Sequence, residues 1–492
     1  MTITDPLRRF FGSRGYVVLT ALLVFLGHST LRQDDRLLFG GYQEFVFGGI
    51  LVLTIAVACM VCTDLRFFLM PVMSFAFIIP TIHSANVPYY SKFYLEHIPI
   101  TLEYVLGVLL VGSVVCFMAK NNAARVSFRK PMLFSMAVFC ATLMLNGIGS
   151  EYYCFSDTVY PLTMAIALLV FYVLFSAYLR FDQRVFDHFM FCILVLGLMI
   201  TAQLIFTYLD NGPEGMKFPA SGGIDKESLL FGWGNSTAIG GMLAFLMPSG
   251  FYFAYSHRHG WVYYLLGGVM YIGVFLSQSR GALVAATGTL ALCLLTLLRG
   301  GKNRRINRIF TGLVALVGIG IVALFFQKLI RLVRTMIELS LSAGDNGRFH
   351  IWRIAVEKFL EYPIFGAGFY TDFTYVGWKK DVYPYLYHNT PLQVLASGGI
   401  VAFATYVYHR VQTVLLVLRK PDPYKTFLGF CILGLLIFCL FEVIFFSTYP
   451  TIIYSLMLLF IERKAEAAEA EPVPQTLPQL VVENEAEGSV EA

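Results

Sequence analysis

The feature that most constrains this chain is its succession of long apolar stretches. A helix that crosses a bilayer needs about 20 mainly apolar residues, and fourteen stretches of the 492-residue sequence meet that need. Their centres lie near residues 22, 52, 76, 108, 140, 168, 197, 245, 268, 289, 318, 404, 434 and 455. Charged residues make up only 14% of the chain, against roughly 25% in a soluble domain. The sequence therefore predicts an all-α polytopic membrane protein with about 12 to 14 transmembrane helices.

Lysines and arginines predict how these helices are oriented. They cluster in three short connections, at 119–130, 299–308 and 418–425. In the fourteen-span order these connections and the N-terminus fall on one side, which the positive-inside rule assigns to the cytoplasm. We therefore expect the protein in a bacterial cytoplasmic (inner) membrane. The net charge of +5 is small for this length and does not indicate nucleic acid as a partner.

The same order divides the chain into five regions. Residues 1–15 form a cytoplasmic N-terminus, and residues 16–327 hold the first eleven transmembrane helices. A large extracytoplasmic loop follows at 328–390, with a helix at 347–361 that ends before Pro363. Residues 391–463 hold the last three helices. The Ala-, Glu- and Pro-rich segment 464–492 is predicted to be a disordered acidic cytoplasmic tail.

A polar break interrupts the apolar run 261–298 at its predicted outer boundary. It contains Ser279, Arg280 and Gly281. An arginine at the centre of a bilayer costs roughly 3 kcal/mol, so Arg280 needs a reason to be there. It either extends its guanidinium to lipid headgroups or binds an anionic ligand.

The predicted loop helix carries a second arginine of interest. Arg348 projects along an apolar stripe formed by Trp352, Ala355, Val356, Phe359 and Leu360, one turn before the tryptophan. An arginine in that position needs either an anionic ligand or a structural carboxylate. The opposite, solvent-exposed face carries Arg353, which is a weaker candidate for phosphate contact, and two glutamates.

A histidine lies just before the predicted start of the next spanning helix. Thr390 is the expected N-cap, Pro391 occupies the first helical position, and Gln393 completes a capping box. The positive end of a helix disfavours an imidazolium, so His388 is expected to be neutral. It is then either a general base or a histidine hydrogen-bonded within the loop.

These three positions fall on the same predicted outer face. Two arginines can hold a diphosphate and stabilise it as it leaves, while a neutral histidine can take a proton from an attacking hydroxyl. Asn235, which begins a span on that face, either caps its helix or contacts a headgroup or sugar. Asp34 and Asp35 are the one short carboxylate pair that suits a metal, but Arg32 and Arg36 flank them and favour a solvated loop. We therefore expect neither a metal nor a cofactor.

The candidate residues and the glycine-containing segments near them follow each other in a recognisable order along the chain. This part of the chain resembles the O-antigen ligase and O-antigen polymerase superfamily of membrane glycosyltransferases. The resemblance rests on Ser279-Arg280-Gly281, Gly347-Arg348 with Trp352, Pro363-Ile364-Phe365-Gly366-Ala367-Gly368-Phe369, His388-Asn389 with Leu392, and Gly398-Gly399. It covers roughly residues 230–410 in detail.

The resemblance implies a function for these residues. Such enzymes take a glycan from a polyprenyl diphosphate, such as undecaprenyl diphosphate, and pass it to an acceptor glycan or glycolipid, with inversion and without a metal. It assigns the diphosphate to Arg280 and Arg348 and the role of base to His388. Arg353, Asn235, Asn389 and Trp352 are the further candidates for substrate contact. A ligase would use a lipopolysaccharide core sugar as acceptor, and a polymerase a second lipid-linked repeat; the residues do not separate the two.

Two other classes remain open from the sequence. A polysaccharide flippase or other transporter would need charged residues around a midplane cavity, whereas the charges here concentrate in one outer loop. A shape-and-division-type cell-wall polymerase would use an acidic residue of that loop as its catalytic group. The candidates for that role are Asp345, Glu357, Glu361, Asp372 and Asp381.

Overall fold

The fold is a bundle of helices. The computed structural model describes residues 4–27, 43–78, 100–128, 130–153, 156–210, 229–231, 234–341, 348–369 and 386–470. Within these residues the extended structure is limited to one antiparallel pair of two-residue strands, β1 (Leu230–Phe231) and β2 (Gly234–Asn235).

Nine helices lie in the described residues before the strand pair. They are α1 (Thr4–Phe11), α2 (Arg14–Gly27), α3 (Gln43–Val61), α4 (Leu69–Ser74), α5 (Ile100–Lys120), α6 (Pro131–Leu143), α7 (Ser156–Ala165), α8 (Phe171–Tyr178) and α9 (Gln183–Asp210). Short 3-10 turns flank α4, and a π-helical turn at Ile166–Val170 joins α7 to α8.

Nine more helices follow the strand pair within the described ranges up to residue 470. They are α10 (Ser236–Leu246), α11 (Pro248–Ser256), α12 (Gly260–Leu276), α13 (Arg280–Arg299), α14 (Arg304–Leu341), α15 (Arg348–Glu361), α16 (Thr390–Leu418), α17 (Pro423–Phe438) and α18 (Thr448–Ala470). A 3-10 turn at Ile444–Phe446 lies between α17 and α18.

Several helices are suited to a membrane by length and composition. Five stretches of the described chain are long and apolar enough to cross one: Thr158–Tyr178, Gln183–Leu209, Ser236–Ser256, Arg280–Arg299 and Thr390–Leu418. The bent pair α1 and α2 adds a sixth if it counts as one span, and further apolar helices are shorter. All fourteen predicted centres lie within described helical segments. The all-α polytopic class is confirmed, whereas the number of spans stays a prediction.

Burial separates a central layer from an apolar periphery. The continuous pair α10 and α11 is at the centre of the bundle, and 94% of its most apolar stretch is buried. It packs against α9, α12, α13 and α17. On the outer helices α5 and α14, by contrast, large apolar side chains such as Val108 and Leu316 are 71% and 67% exposed. Such a surface suits hydrocarbon as its surroundings rather than water.

The central helices define two ends of the bundle. We call one the His388 end, where α13 and α16 begin and α17 finishes, and the other the Lys302 end, where α9 and α17 begin and α13 finishes. The Lys- and Arg-rich connections 299–308 and 418–425 both lie at the Lys302 end.

Two helices extend beyond their predicted limits. Helix α14 continues past residue 327 to Leu341, and α18 continues to Ala470. The prediction of disorder from residue 464 is therefore wrong for 464–470. Ion pairs hold this extension, because Glu466 binds Lys130 at 2.6 Å and Glu469 binds Arg419 at 2.6 Å. The rest of the predicted tail lies outside the described residues.

Candidate active site

Two helices at the His388 end begin with the same local structure. Ser279 caps α13 and its hydroxyl accepts from the backbone N–H of Ala282, while Asn389 caps α16 in the same way. The residue before each cap has a positive φ, 57° at Gln278 and 50° at His388. Residues other than glycine rarely adopt this conformation, and it is concentrated at functional sites. Both predicted groups, Arg280 and His388, thus lie at the entrance of a spanning helix.

The cap of α16 differs from the predicted one. Asn389, not Thr390, is the N-cap, and its Oδ1 accepts from the backbone N–H of Leu392 at 3.0 Å. Thr390 is held instead by the segment after α17, because its hydroxyl donates to the Glu442 carbonyl at 2.9 Å. The predicted capping box is not formed, because the Gln393 Oε1 accepts from the backbone N–H of Tyr387 at 2.9 Å and not from that of Thr390, which donates to the Cys439 carbonyl.

A carboxylate that was absent from the predicted site orients His388. The Nδ1 atom of His388 lies 2.7 Å from Oε1 of Glu442. An ionised carboxylate only accepts hydrogen bonds, so Nδ1 carries a proton, and in the neutral imidazole Nε2 then keeps its lone pair. The Glu442 side chain is 15% exposed, whereas that of His388 is 38% exposed. The imidazole is therefore held on one side and accessible on the other.

The segment that carries Glu442 is fixed to the start of α16 by further contacts. The backbone N–H of Thr390 donates to the Cys439 carbonyl at 2.8 Å, and Nδ2 of Asn389 donates to the Leu440 carbonyl at 3.0 Å. Both polar groups of the Asn389 amide are therefore used within the protein. Asn235 likewise caps α10 by accepting from two backbone N–H groups, which confirms its capping role.

The Arg280 turn lies beside this segment. Gly281 packs so closely on Phe441 that a Cβ atom at Gly281 would lie 2.8 Å from the Phe441 Cβ. Arg280 itself is exposed, and within the described part of the chain no hydrogen bond or ion pair engages its guanidinium. Gly281 follows Arg280 in the chain, and Phe441 precedes Glu442. The contact between Gly281 and Phe441 therefore brings the start of α13 close to the segment that holds His388.

Helix α15 is anchored on the His388 turn. Its Ile351, Ile354 and Ala355 pack against Tyr387 and against Ala396 of α16 in one small apolar cluster. Tyr387 directly precedes His388 and is buried. Arg348, the first residue of α15, is half-buried and makes no hydrogen bond or ion pair with a residue that the structure describes.

The remaining faces of α15 differ in part from their prediction. Val356 and Leu360 of the predicted apolar stripe are 42% and 70% exposed, because α16 covers the neighbouring face instead. Trp352 is half-buried, and its indole Nε1 has no hydrogen-bond partner among the described residues. Arg353 is exposed as predicted and pairs with Glu357 at 3.3 Å.

The charged end of α15 is also internally paired. Lys358 donates to the Tyr152 hydroxyl at 2.8 Å and to Glu361 at 2.9 Å. Burial lowers the pKa of Lys358, but these two hydrogen bonds outweigh it, so the pKa of Lys358 is raised. Glu357 and Glu361 are thus both in ion pairs. Of the other acidic candidates, Asp345, Asp372 and Asp381 lie outside the described residues.

The two glycine-containing motif pieces bind each other through their backbones. At Gly399, with φ of 64°, α16 is interrupted. The carbonyls of Ala396 and Ser397 accept from the backbone N–H groups of Ala367 and Gly368 at 2.8 and 3.0 Å. In return, Ile400 N–H donates to the Pro363 carbonyl at 2.8 Å. The segment 363–369 therefore replaces the hydrogen bonds that the helix loses, and fixes the end of α15 against α16.

Some predicted features lie where the structure gives no test. Among the described residues, no group of three or more His, Cys, Asp and Glu side chains converges on one point. Asp34 and Asp35, the alternative metal pair, lie outside those residues.

Fold and site together define a polytopic membrane protein whose oriented histidine lies near two arginine-bearing helix starts. Residues 265–407 match the family model described as O-antigen ligase. This match spans Arg280, Arg348, His388 and both glycine-containing pieces, and it confirms the resemblance to the O-antigen ligase and polymerase superfamily. Glu442 lies beyond the matched residues. No curated protein matches the chain.

Proposed function

We propose that the protein transfers a glycan from a polyprenyl diphosphate to an acceptor hydroxyl, in the biosynthesis of a cell-surface polysaccharide. The observation that carries this proposal is the 2.7 Å contact between His388 Nδ1 and Glu442 Oε1. It leaves Nε2 as a proton acceptor at a helix entrance next to the Arg280 turn. The match to the O-antigen ligase model supports the same class of reaction.

His388 acts as the general base in this proposal. Its Nε2 takes the proton of the acceptor hydroxyl as that oxygen attacks the anomeric carbon. The new glycosidic bond forms as the bond from the anomeric carbon to the diphosphate oxygen breaks, and the electron pair leaves with the diphosphate. Attack opposite the leaving group inverts the anomeric configuration. Glu442 holds the imidazole in the required tautomer and stabilises the imidazolium that forms.

Arg280 and Arg348 hold the diphosphate. Each is the first residue of its helix, α13 and α15 respectively. The positive end of a helix dipole adds to the guanidinium charge there, and both favour a phosphate group. Their planar forks can each take two phosphate oxygens. Because the negative charge on the leaving diphosphate grows in the transition state, these contacts lower the barrier. No metal is required for that role.

The reaction takes place at the outer face of the cytoplasmic membrane. The Lys- and Arg-rich connections at the Lys302 end assign that end to the cytoplasm. The His388 end then faces outward, where lipid-linked glycans and glycan or glycolipid acceptors meet. Trp352, whose indole Nε1 has no partner among the described residues, is the further candidate for sugar contact. Asn235, Asn389 and Arg353 are engaged within the protein.

Glycan profiling in cells tests the proposal. The gene is deleted and then restored as wild type, as His388→Ala or as Arg305→Gln, an exposed cation at the Lys302 end. We expect the deletion strain and the His388→Ala strain to accumulate the same lipid-linked species. Single lipid-linked repeats would identify a polymerase, and unattached long polymer a ligase. Full rescue by His388→Ala, with normal glycans, would contradict the proposal.

A further inference from the structure

A large cavity lies at the opposite end of the bundle from the proposed active site. It has a volume of about 730 Å³ and opens at the Lys302 end of the bundle. It is bounded by the start of α9, the end of α11, the connection before α14, the start of α17 and one residue of α18. A cavity of this volume is large enough for a small molecule or a lipid headgroup. The proposed transfer reaction does not use it.

The cavity carries charges of both signs. Arg258, Lys302 and Lys464 contribute positive charge, and Asp187 and Asp422 contribute negative charge. Within the described chain, neither carboxylate is within ion-pair distance of a cation. Asp187 accepts from the Tyr252 hydroxyl at 2.8 Å and Asp422 accepts from the Lys425 backbone N–H at 3.0 Å, each through Oδ1. The second oxygen of each carboxylate remains available to a ligand.

A buried hydroxyl on the cavity wall also lacks a partner. Tyr424 is only 3% exposed, and its hydroxyl makes no hydrogen bond with any described residue. Buried polar groups in proteins are nearly always hydrogen-bonded, because leaving one unpaired costs about 1–3 kcal/mol. A polar ligand that reaches this hydroxyl from the cavity would give it the partner that it lacks.

The rim of the cavity is preformed. The backbone N–H of Lys302 donates to the Tyr255 carbonyl at 2.8 Å, and Nδ2 of Asn303 donates to the His257 carbonyl at 3.0 Å. Gly301 has a φ of 103°, which bends the chain there. The connection that carries Lys302 is therefore fixed against the turn after α11, which carries Arg258, so the backbone positions of both cations are set before any ligand arrives.

We propose that this cavity binds a zwitterionic phosphate ester of the phosphoethanolamine type, supplied as the headgroup of a membrane lipid or as a soluble molecule. The phosphate would be bound by Arg258, Lys302 and Lys464, and the ammonium by Asp187 and Asp422. A simple anion would meet two unneutralised carboxylates, and a simple cation would meet three positive charges. The acidic segment 471–492 carries five glutamates and no lysine or arginine, so it offers nothing to the carboxylates.

Native mass spectrometry of the full-length protein in detergent tests this proposal. The probes are dioleoylphosphatidylethanolamine, dioleoylphosphatidylcholine and soluble phosphoethanolamine. We expect one saturable phosphatidylethanolamine molecule per chain. Phosphatidylcholine should bind more weakly, because its quaternary ammonium has no N–H to donate to the carboxylates. Competition by soluble phosphoethanolamine would show that the headgroup suffices, whereas lipid binding without competition would identify a membrane lipid as the source.

Three variants and one matched control make the test specific to the cavity. Arg258→Gln combined with Lys302→Gln should weaken binding at least tenfold, since charge-assisted hydrogen bonds to phosphate are lost. Asp187→Asn combined with Asp422→Asn should abolish the preference for phosphatidylethanolamine over phosphatidylcholine. Tyr424→Phe removes only the unpaired hydroxyl and should weaken binding several-fold. Arg305→Gln, an exposed cation that does not line the cavity, should bind as wild type does.

Two outcomes would overturn the proposal. One is the absence of saturable binding by any probe, and the other is equal binding by wild type and by the Arg258 and Lys302 double variant. Both cations are exposed, so we expect their replacement to leave the fold intact, and unchanged melting temperatures of the variants would verify this. Neither outcome bears on glycan transfer, which belongs to the other end of the bundle.

Discussion

The turns that begin α13 and α16 have the same construction but different surroundings. Each has a residue with positive φ followed by a side-chain cap. The His388 turn is tied to Glu442 through its ring and to the segment after α17 through Asn389 and Thr390. The Arg280 turn touches that segment through Gly281, yet its guanidinium is exposed and engages no described residue.

The difference fits two chemical tasks. A general base must present one nitrogen in one tautomer, so a fixed partner on the other nitrogen improves it. A phosphate-binding arginine must keep its donors for the ligand, so an internal carboxylate would compete with the substrate. Arg353 illustrates the contrast, because its ion pair with Glu357 already occupies it.

Replacing His388 should cause the largest loss. We expect His388→Ala to lower the transfer rate by roughly 10²-fold or more, because no other group takes the proton of the acceptor. Binding of the lipid-linked donor should persist, since the arginines remain. Single-turnover transfer assays measure the first quantity and donor binding the second. Wild-type transfer rates in this variant would place the base elsewhere.

Arg280→Ala should reduce transfer by a similar or slightly smaller factor. It removes a donor that stabilises the leaving diphosphate, which costs roughly 10²-fold. Unlike His388→Ala, it should also weaken donor binding. Arg280→Lys should recover only part of the loss, since an ammonium keeps the charge but lacks the planar fork. If Arg280→Ala bound and transferred the donor normally, the arginine would be a lipid-headgroup contact instead.

Removing the charge of Glu442 should have an intermediate effect. Glu442→Gln keeps the size of the side chain but no longer stabilises an imidazolium. By analogy with groups that orient a ligating histidine, we expect a loss of roughly tenfold in turnover, with donor affinity unchanged. The exposed Glu357→Gln serves as control and should transfer at the wild-type rate. A Glu442→Gln variant as active as this control would leave the ion pair without a catalytic role.

The backbone contact between α15 and α16 can be broken at Gly399. Alanine there would have to adopt a φ of 64°, which costs roughly 1–2 kcal/mol, and its Cβ would clash with the backbone of Ile364. We expect a lower melting temperature for Gly399→Ala in detergent. Gly268→Ala is the matched control, because a Cβ at Gly268 meets nothing within 4 Å. Equal melting temperatures of the two variants would contradict a special backbone conformation at Gly399.

Chelation should have the smallest effect. The arginines provide the positive charge at the diphosphate, so transfer should proceed at nearly the same rate in excess EDTA. A strong loss that Mg²⁺ or Mn²⁺ restores would point back to Asp34 and Asp35. The Asp34→Asn variant would then decide whether that pair holds the ion.

Much of the architecture could be predicted because membrane helices are specified locally. Twenty apolar residues predict a helix without reference to the rest of the chain, and all fourteen centres lie within described helices. The loop helix, predicted at 347–361, is observed at Arg348–Glu361. Its buried face was predicted less well, because periodicity shows that apolar positions exist but not which of them α16 covers.

The parts of the site that were missed depend on contacts between distant segments. The segment 363–369 pairs with the break in α16 through backbone groups. Every residue has these groups, so the sequence does not show which of them will pair. Threonine is a common helix cap, but the hydroxyl of Thr390 donates to the Glu442 carbonyl instead of capping α16. Glu442 did leave a recognisable trace, since it is the one charged residue between Lys425 and Glu462. A lone charge within an apolar run is costly and points to a function.

The most direct test of the account separates chemistry from binding in one purified system. The donor is the lipid-linked species that accumulates in the deletion strain, and transfer and donor binding are measured together for wild type, His388→Ala and Arg280→Ala. The account predicts that His388→Ala binds the donor but transfers at least 10²-fold more slowly, whereas Arg280→Ala loses affinity as well. Transfer by His388→Ala at the wild-type rate would contradict it.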